Sequence, residues 1–357
     1  MDQGKRFAHA VPAFFCASYI RRLISRVPDA IARREHRCPV HEAPRPPAPA
    51  TGVLCLPEIT LAHLSDLHLP HDRLRVPARA LLNKRMTSQI SWRCKRRFLH
   101  DRAVADAVAA DIRAMAPDVV ALTGDLTNLG LPAECRQAAE WLHTRLPGPI
   151  CAIPGNHDML VRESWSETLG QWAPWMAADA DGFPYLRHIG PLALIGVNSA
   201  RPMAWFSAAG RIGASQAARL ADILHEAGRQ GRFRVVMIHH PPITGLVSHR
   251  KSLLDAGLFT AAIARTGAEM VLHGHAHISC MSTLPGPDGL VPVLGIASAS
   301  MHARRQERAA AWHRIDVAAT TRGYRAEIRR RIVAPGHAVR ELPCWSIETE
   351  RAARVRF

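Results

Sequence analysis

Five short stretches of this 357-residue chain gather side chains that bind metal ions and move protons. "SDLHL" offers Asp66 and His68, two residues apart, so on an extended segment both point to one side. "TGDLTN" offers Asp125 after a glycine that permits a tight turn. "PGNHD" offers Asn156, His157 and Asp158, and "IHHPP" offers His239 and His240 ahead of two stiffening prolines. "HGHAH" adds His273, His275 and His277. Any one stretch is common by chance. Together they present oxygen and imidazole donors without a thiolate, a mixture that suits Mn, Fe, Zn, Ni or Co better than Ca or Mg. There are more donors than one ion of roughly four- to six-fold coordination accepts, about right for two ions sharing a carboxylate.

The elements that must position these residues share one design. "ITLAHLSD", "DVVALTGD", "PICAIPGNHD", "FRVVMIHHPP" and "AEMVLHGHAH" are short apolar runs, each ending in a polar cluster. Helical patterns lie between them, at 102–116, 133–146 and 215–228. Strands alternating with helices predict a largely parallel α/β sheet with buried strands. In such sheets function collects just past the carboxyl ends of strands, where all five clusters fall. After about residue 278 the pattern becomes strand–turn–strand, which predicts antiparallel hairpins finishing a second sheet.

The ordered set D-x-H, GD, GNHD, HHPP and GHxH resembles the calcineurin-like metallophosphoesterases over roughly residues 59–300. The resemblance implies an α/β fold, a four-layer αββα sandwich of two mixed β-sheets flanked by helices, occupying 58–335. It also implies two divalent or trivalent transition metal ions, with Mn, Fe or Zn expected. Asp66, His68 and His277 would hold one metal, Asn156, His239 and His275 the other, and Asp125 would bridge. A hydroxide between the metals would attack a phosphoester in line, the cations stabilising charge on the phosphate oxygens. His157 would act as general acid, oriented by Asp158 or Asn128. His240 is expected to support a ligand, and His63 and His273 to pack.

Similar protein phosphatases follow GD with an aspartate three residues on and then an arginine, and read GNHE. Here Asn128, Leu129 and Asp158 stand in those places. A diester carries one charge fewer than a monoester and needs one cationic contact fewer, so a phosphodiester (or related phosphoanhydride) is the expected substrate. The segment 72–103 carries ten Lys or Arg against two Asp and interleaves Leu81, Leu82, Met86, Ile90, Trp92 and Phe98. Its plain reading is a solvated helix with an inward apolar stripe. Its functional reading is a basic lid, with 73–102 touching a lipid or membrane surface. A lipid-linked pyrophosphate hydrolase of the UDP-2,3-diacylglucosamine hydrolase type is therefore an alternative, as are a nuclease and a non-catalytic scaffold.

The net charge of +16 points to anionic partners, here a small phosphoester with nucleic acid second. No apolar run reaches the roughly 18–20 residues of a membrane-spanning helix. The eight cysteines form no CxxC pair, which argues against a thiolate zinc site and fits reduced thiols in the cytoplasm, with peripheral contact at the inner membrane surface. Residues 1–57, rich in Pro, Ala and Arg, are expected to form a disordered basic tail, with a short amphipathic helix at 11–34 as the alternative. Pro12 breaks the apolar run that a signal peptide needs. Residues 336–357 read as a C-terminal extension.

Overall fold

The computed structural model describes residues 59–350, apart from 72, 73, 303, 304, 335, 337 and 344. The expected tail at 1–57, with the helix considered at 11–34, lies outside the described residues. Among them, the apolar runs form strands buried along their whole length. In sheet one, β1 (Ile59–Leu64), β2 (Val119–Leu122) and β3 (Ile150–Ala152) run parallel. In sheet two, β5 (Leu192–Val197), β6 (Phe233–Ile238), β7 (Met270–His273) and β9 (Gly289–Gly295) run parallel. There β4 (Tyr185–Ile189) and β8 (Cys280–Gly286) form antiparallel edges.

The helices are α1 (Arg85–Cys94), α2 (Arg102–Met115), α3 (Pro132–Arg145), α4 (Ala214–Arg229) and α5 (Ala256–Thr266). The two-residue period of a strand sorts its side chains between layers. Val235 and Met237 of β6 join the cluster that holds Leu61 and Leu122 of sheet one. Val236 and Ile238 join Leu220 and Leu224 of α4 and Phe259 and Ile263 of α5. On the other side, Val108 and Ile112 of α2 and Trp141 and Leu142 of α3 pack with sheet one. The order is helix, sheet, sheet, helix, a four-layer α/β sandwich.

The C-terminal strands divide differently from the sequence expectation. Only β8 and β9 finish sheet two. β10 (Ala311–Ala319) instead pairs antiparallel with β1, Ile315 opposite Leu61, and β11 (Gly323–Val333) pairs with β10. β12 (Val339–Glu341) and β13 (Trp345–Glu350) both pair with β11, so the expected C-terminal extension adds strands to sheet one as far as residue 350. Alternation specifies which face of a strand is buried, not which neighbour it joins.

The basic insertion is fastened down by its polar residues. Arg85 is 2% exposed. It donates from Nε to the Leu129 carbonyl at 2.7 Å, from Nη2 to Gly130 at 2.8 Å, and from Nη1 to Glu163 at 2.5 Å. Ser88 Oγ donates to the Asn128 carbonyl at 3.1 Å. Trp92 is buried, whereas Leu82, Met86, Ile90 and Phe98 are exposed. The inward apolar stripe of the plain reading is therefore absent, apart from Trp92.

Candidate metal centre

The five clusters occupy loops just past the carboxyl ends of β1, β2, β3, β6 and β7. Backbone pairing continues past the strands: Asp66 N donates to Gly124 O and His68 N to Asp125 O, both at 2.9 Å. Asp66, His68, Asp125, His275 and His277 all adopt left-handed backbone, with φ between 40° and 64°. Residues other than glycine are uncommon there, and such conformations cluster at functional sites. A Cβ at Gly155 would collide with the Asp125 carboxylate, and one at Gly274 with that of Asp66.

Each aspartate uses one oxygen for the backbone and turns the other to imidazoles. Asp125 Oδ1 accepts from His157 N at 2.7 Å, while Oδ2 lies 3.4 Å from His239 Nε2 and 3.7 Å from His68 Nε2. Asp66 Oδ2 accepts from His275 N at 2.9 Å, while Oδ1 lies 3.1 Å from His277 Nε2. Backbone carbonyls orient the rings. His239 Nδ1 is 2.7 Å from Thr123 O and His68 Nδ1 is 3.2 Å from Thr127 O, so in each ring Nε2 faces the carboxylates. That is how metal-binding histidines are commonly aimed. Asn156 Oδ1 lies 3.2 Å from His239 Nε2.

Donor atoms of Asp125, His239 and His275 lie within 4.8 Å of one another, as do those of Asp66, His68 and Asp125. Asp125 belongs to both groups. His275 Nε2 is buried with no hydrogen-bond partner among the described residues. An unpaired buried polar atom is costly, and a cation would satisfy it. Burial lowers His239, but the Asp125 carboxylate and its hydrogen bond outweigh this and raise the imidazole to about 9. Burial would raise Asp125, yet His239 and His157 hold it well below the usual carboxylate range. A cation at His239 Nε2 would compete with that proton.

A third donor group joins His68 and His277 to His100, which the sequence reading passed over. His100 closes the basic insertion and belongs to no motif. Its Nδ1 lies 2.9 Å from Ser300 Oγ, and burial, His277 and Arg96 push the ring down to about 2, so it stays neutral.

His157 Nδ1 lies 2.8 Å from the Asn128 carbonyl, which orients the ring. Asp158 does not. Its carboxylate accepts from Thr127 N and Oγ1 at 2.9 Å and from Gly155 N at 2.8 Å. It braces the second cluster against the third, and the catalytic part expected of it has no support in its contacts. Burial, then Asp125, raise it to about 7. His240 is held by Ser199 Oγ at 2.8 Å and the Ala208 carbonyl at 3.1 Å, its ring centroid 4.6 Å from that of His275. His63 pairs with Thr123 Oγ1 at 3.0 Å, and His273 Nδ1 lies 3.0 Å from Gly274 O.

A cavity of about 320 Å³ opens over these residues. It is lined by Lys84, Ser91 and Arg96 of the insertion and by Phe206 and Lys251. A model of the calcineurin-like phosphoesterase family matches residues 59–279.

The chain belongs to the calcineurin-like phosphoesterases.

This phosphoesterase is 28% identical over 262 residues to a Synechococcus sp. protein described as a probable cyclic nucleotide phosphodiesterase, covering 72% of this chain and 88% of that one. It is 28% identical over 218 residues to a cAMP/cGMP dual specificity phosphodiesterase of Mycobacterium tuberculosis, covering 57% of this chain and 64% of the relative. The fold is also that of a dimetal phosphatase from Danio rerio, with a TM-score of 0.55, 11% identity, and 82% and 99% of the two chains covered. A purple acid phosphatase from yellow lupin matches with a TM-score of 0.54 and 12% identity over 83% of this chain and 54% of that one. The chain is a metal-dependent phosphoester hydrolase.

Proposed function

We propose that this hydrolase cleaves phosphodiesters of nucleotide size, cyclic nucleotides among them. Asp66, His68 and His277 hold one cation, Asn156, His239 and His275 the other, and Asp125 is shared. The observation that carries this is the Asp125 carboxylate, whose Oδ2 faces His239 on one side and His68 on the other. His100 supplies a further imidazole beside His68 and His277. The carboxylate, amide and imidazole donors suit manganese, iron or zinc. When bound, such a pair supplies positive charge that activates water and stabilises the phosphate oxygens.

His157 is fixed through Nδ1, which directs Nε2 into the cavity toward the leaving oxygen. Burial and Arg96 lower the free ring to about 3, and a phosphate anion bound beside it would favour the protonated form that a general acid needs. The diester preference is supported by relatives described as cyclic nucleotide phosphodiesterases. The cavity supports a compact substrate, with cationic and hydroxyl side chains for a phosphate and ribose and the Phe206 ring for a base.

The test is metal analysis of the purified protein with rates on bis-p-nitrophenyl phosphate, p-nitrophenyl phosphate and cyclic AMP. Roughly two metals per chain, diester turnover above monoester turnover, and loss of both metal and activity in Asp125→Asn are expected. Faster monoester cleavage would remove the diester preference.

One observation favours contact with a membrane surface as a second reading. Leu82, Met86 and Ile90 are exposed on the insertion among the exposed Arg79, Arg93 and Lys95. No helix among the described residues is long and apolar enough to cross a membrane. Co-sedimentation with phosphatidylglycerol vesicles but not phosphatidylcholine vesicles is the expected result, and equal recovery with both counts against it.

A further inference from the structure

We propose that Arg96 holds the phosphoryl group of the substrate, a cation that the basic insertion delivers into the site from outside the five motifs. The assignment rests on the phosphodiesterase reading above and names the residue that binds its substrate.

The arginines and lysines of the insertion differ in what already occupies them. Arg85 is satisfied by two carbonyls and Glu163. Lys84 lines the cavity, but its ammonium is engaged by the Ser207 carbonyl at 2.5 Å and that of Met203 at 3.4 Å. Arg96 lies in a short turn just after α1 and is only partly accessible. Its Nη1 is 3.2 and 3.0 Å from Nδ1 and Nε2 of His157, and its Nη2 is 2.7 and 3.1 Å from Nδ1 and Nε2 of His68, so the guanidinium lies over the faces of both rings rather than along their lone pairs. No ion pair joins it to a carboxylate among the described residues. Moreover, His157 Nδ1 and His68 Nδ1 already face the Asn128 and Thr127 carbonyls.

A guanidinium has five donors in a planar fork, and two imidazoles cannot accept them all. A largely buried charge left short of acceptors is costly unless an anion joins it. The fork matches two oxygens of a phosphate. Arg96 also stands between His68, in the candidate metal centre, and His157, which faces the leaving oxygen. A phosphate gripped there meets both. Lys251 lines the same cavity without a partner for its ammonium among the described residues and adds a second cation. Arg96 thereby supplies from the insertion the positive charge that Leu129 cannot. The same fork accepts the phosphomonoester product, so that product is expected to inhibit competitively.

The experiment uses the full-length, metal-loaded protein with inorganic phosphate as the calorimetric probe and bis-p-nitrophenyl phosphate for kinetics. Arg96→Gln should weaken phosphate binding and raise KM by roughly 10- to 100-fold, the range expected for charge-assisted hydrogen bonds. Metal content and melting temperature should match the parent. Arg96→Lys should fall between the two, and the exposed Arg93→Gln should match the parent. Phosphate affinity within about twofold of the parent in Arg96→Gln overturns the assignment. So does an equal loss in Arg93→Gln, which would indicate only a diffuse field, or a parallel fall in metal content, which would make Arg96 a support for His68. Should Arg96→Gln not fold, Arg96→Lys decides: weakened phosphate binding supports the fork, and parity overturns it. Calorimetry reads binding without turnover, so a protein that binds phosphate through Arg96 yet cleaves no diester refutes the proposed function and not this assignment.

Discussion

Replacing Arg85 with methionine should release the insertion from the body of the enzyme. Methionine keeps much of the aliphatic volume, so the change is chiefly the loss of the guanidinium. Two of its hydrogen bonds, to the Leu129 and Gly130 carbonyls, lie in a setting where Arg85 is 2% exposed. Hydrogen bonds from charged groups contribute about 1.5–3 kcal/mol each, so the pair is worth about 3–6 kcal/mol. The third contact adds little, about 0–1 kcal/mol, because Glu163 is 34% exposed and screened by solvent. The loss falls on one segment, so it should appear as local opening of α1 rather than global unfolding. At 1.36 kcal/mol per decade, 3 kcal/mol corresponds to a roughly 100-fold or larger rise in opening. Hydrogen exchange followed by mass spectrometry across 85–94 measures it directly. The KM for a diester should rise with it, since Arg96 rides on the same segment. Exchange within about threefold of the parent would refute the reasoning, because the insertion would then be held by Trp92 and its neighbours instead.

Two further outcomes are expected. His157→Ala should slow cleavage of an alkoxide-leaving diester such as cyclic AMP by about 10²–10⁴-fold but hardly affect p-nitrophenolate release, which needs no proton. An equal loss on both substrates would place His157 in binding. His100→Gln should weaken manganese affinity by at least about tenfold, measured by calorimetry, while the fold, followed by circular dichroism, stays intact. Unchanged affinity would confine His100 to packing beside Ser300.

What the sequence determined by itself is local. Cluster types, their order and their position after apolar runs depend on neighbouring residues, because a strand's period and a glycine turn are written within about ten positions. Asp125 and His239 could therefore be read as members of one site. Tertiary structure decided what depends on direction and partner. The last residue of "GNHD" reads as a helper for His157, yet Asp158 turns to Thr127 of the second cluster as well as to its own neighbour Gly155, and only the fold brings Thr127 to it. Arg85, Arg96 and His100 lie in one basic stretch with nothing local to separate them. The docking of α1 makes the first a fastening and brings the other two over the metal donors. β10 and β11 carry a hairpin pattern that suits either sheet; β10 joins β1 and carries β11 with it, because strand pairing is settled by contacts some 250 residues apart in the chain.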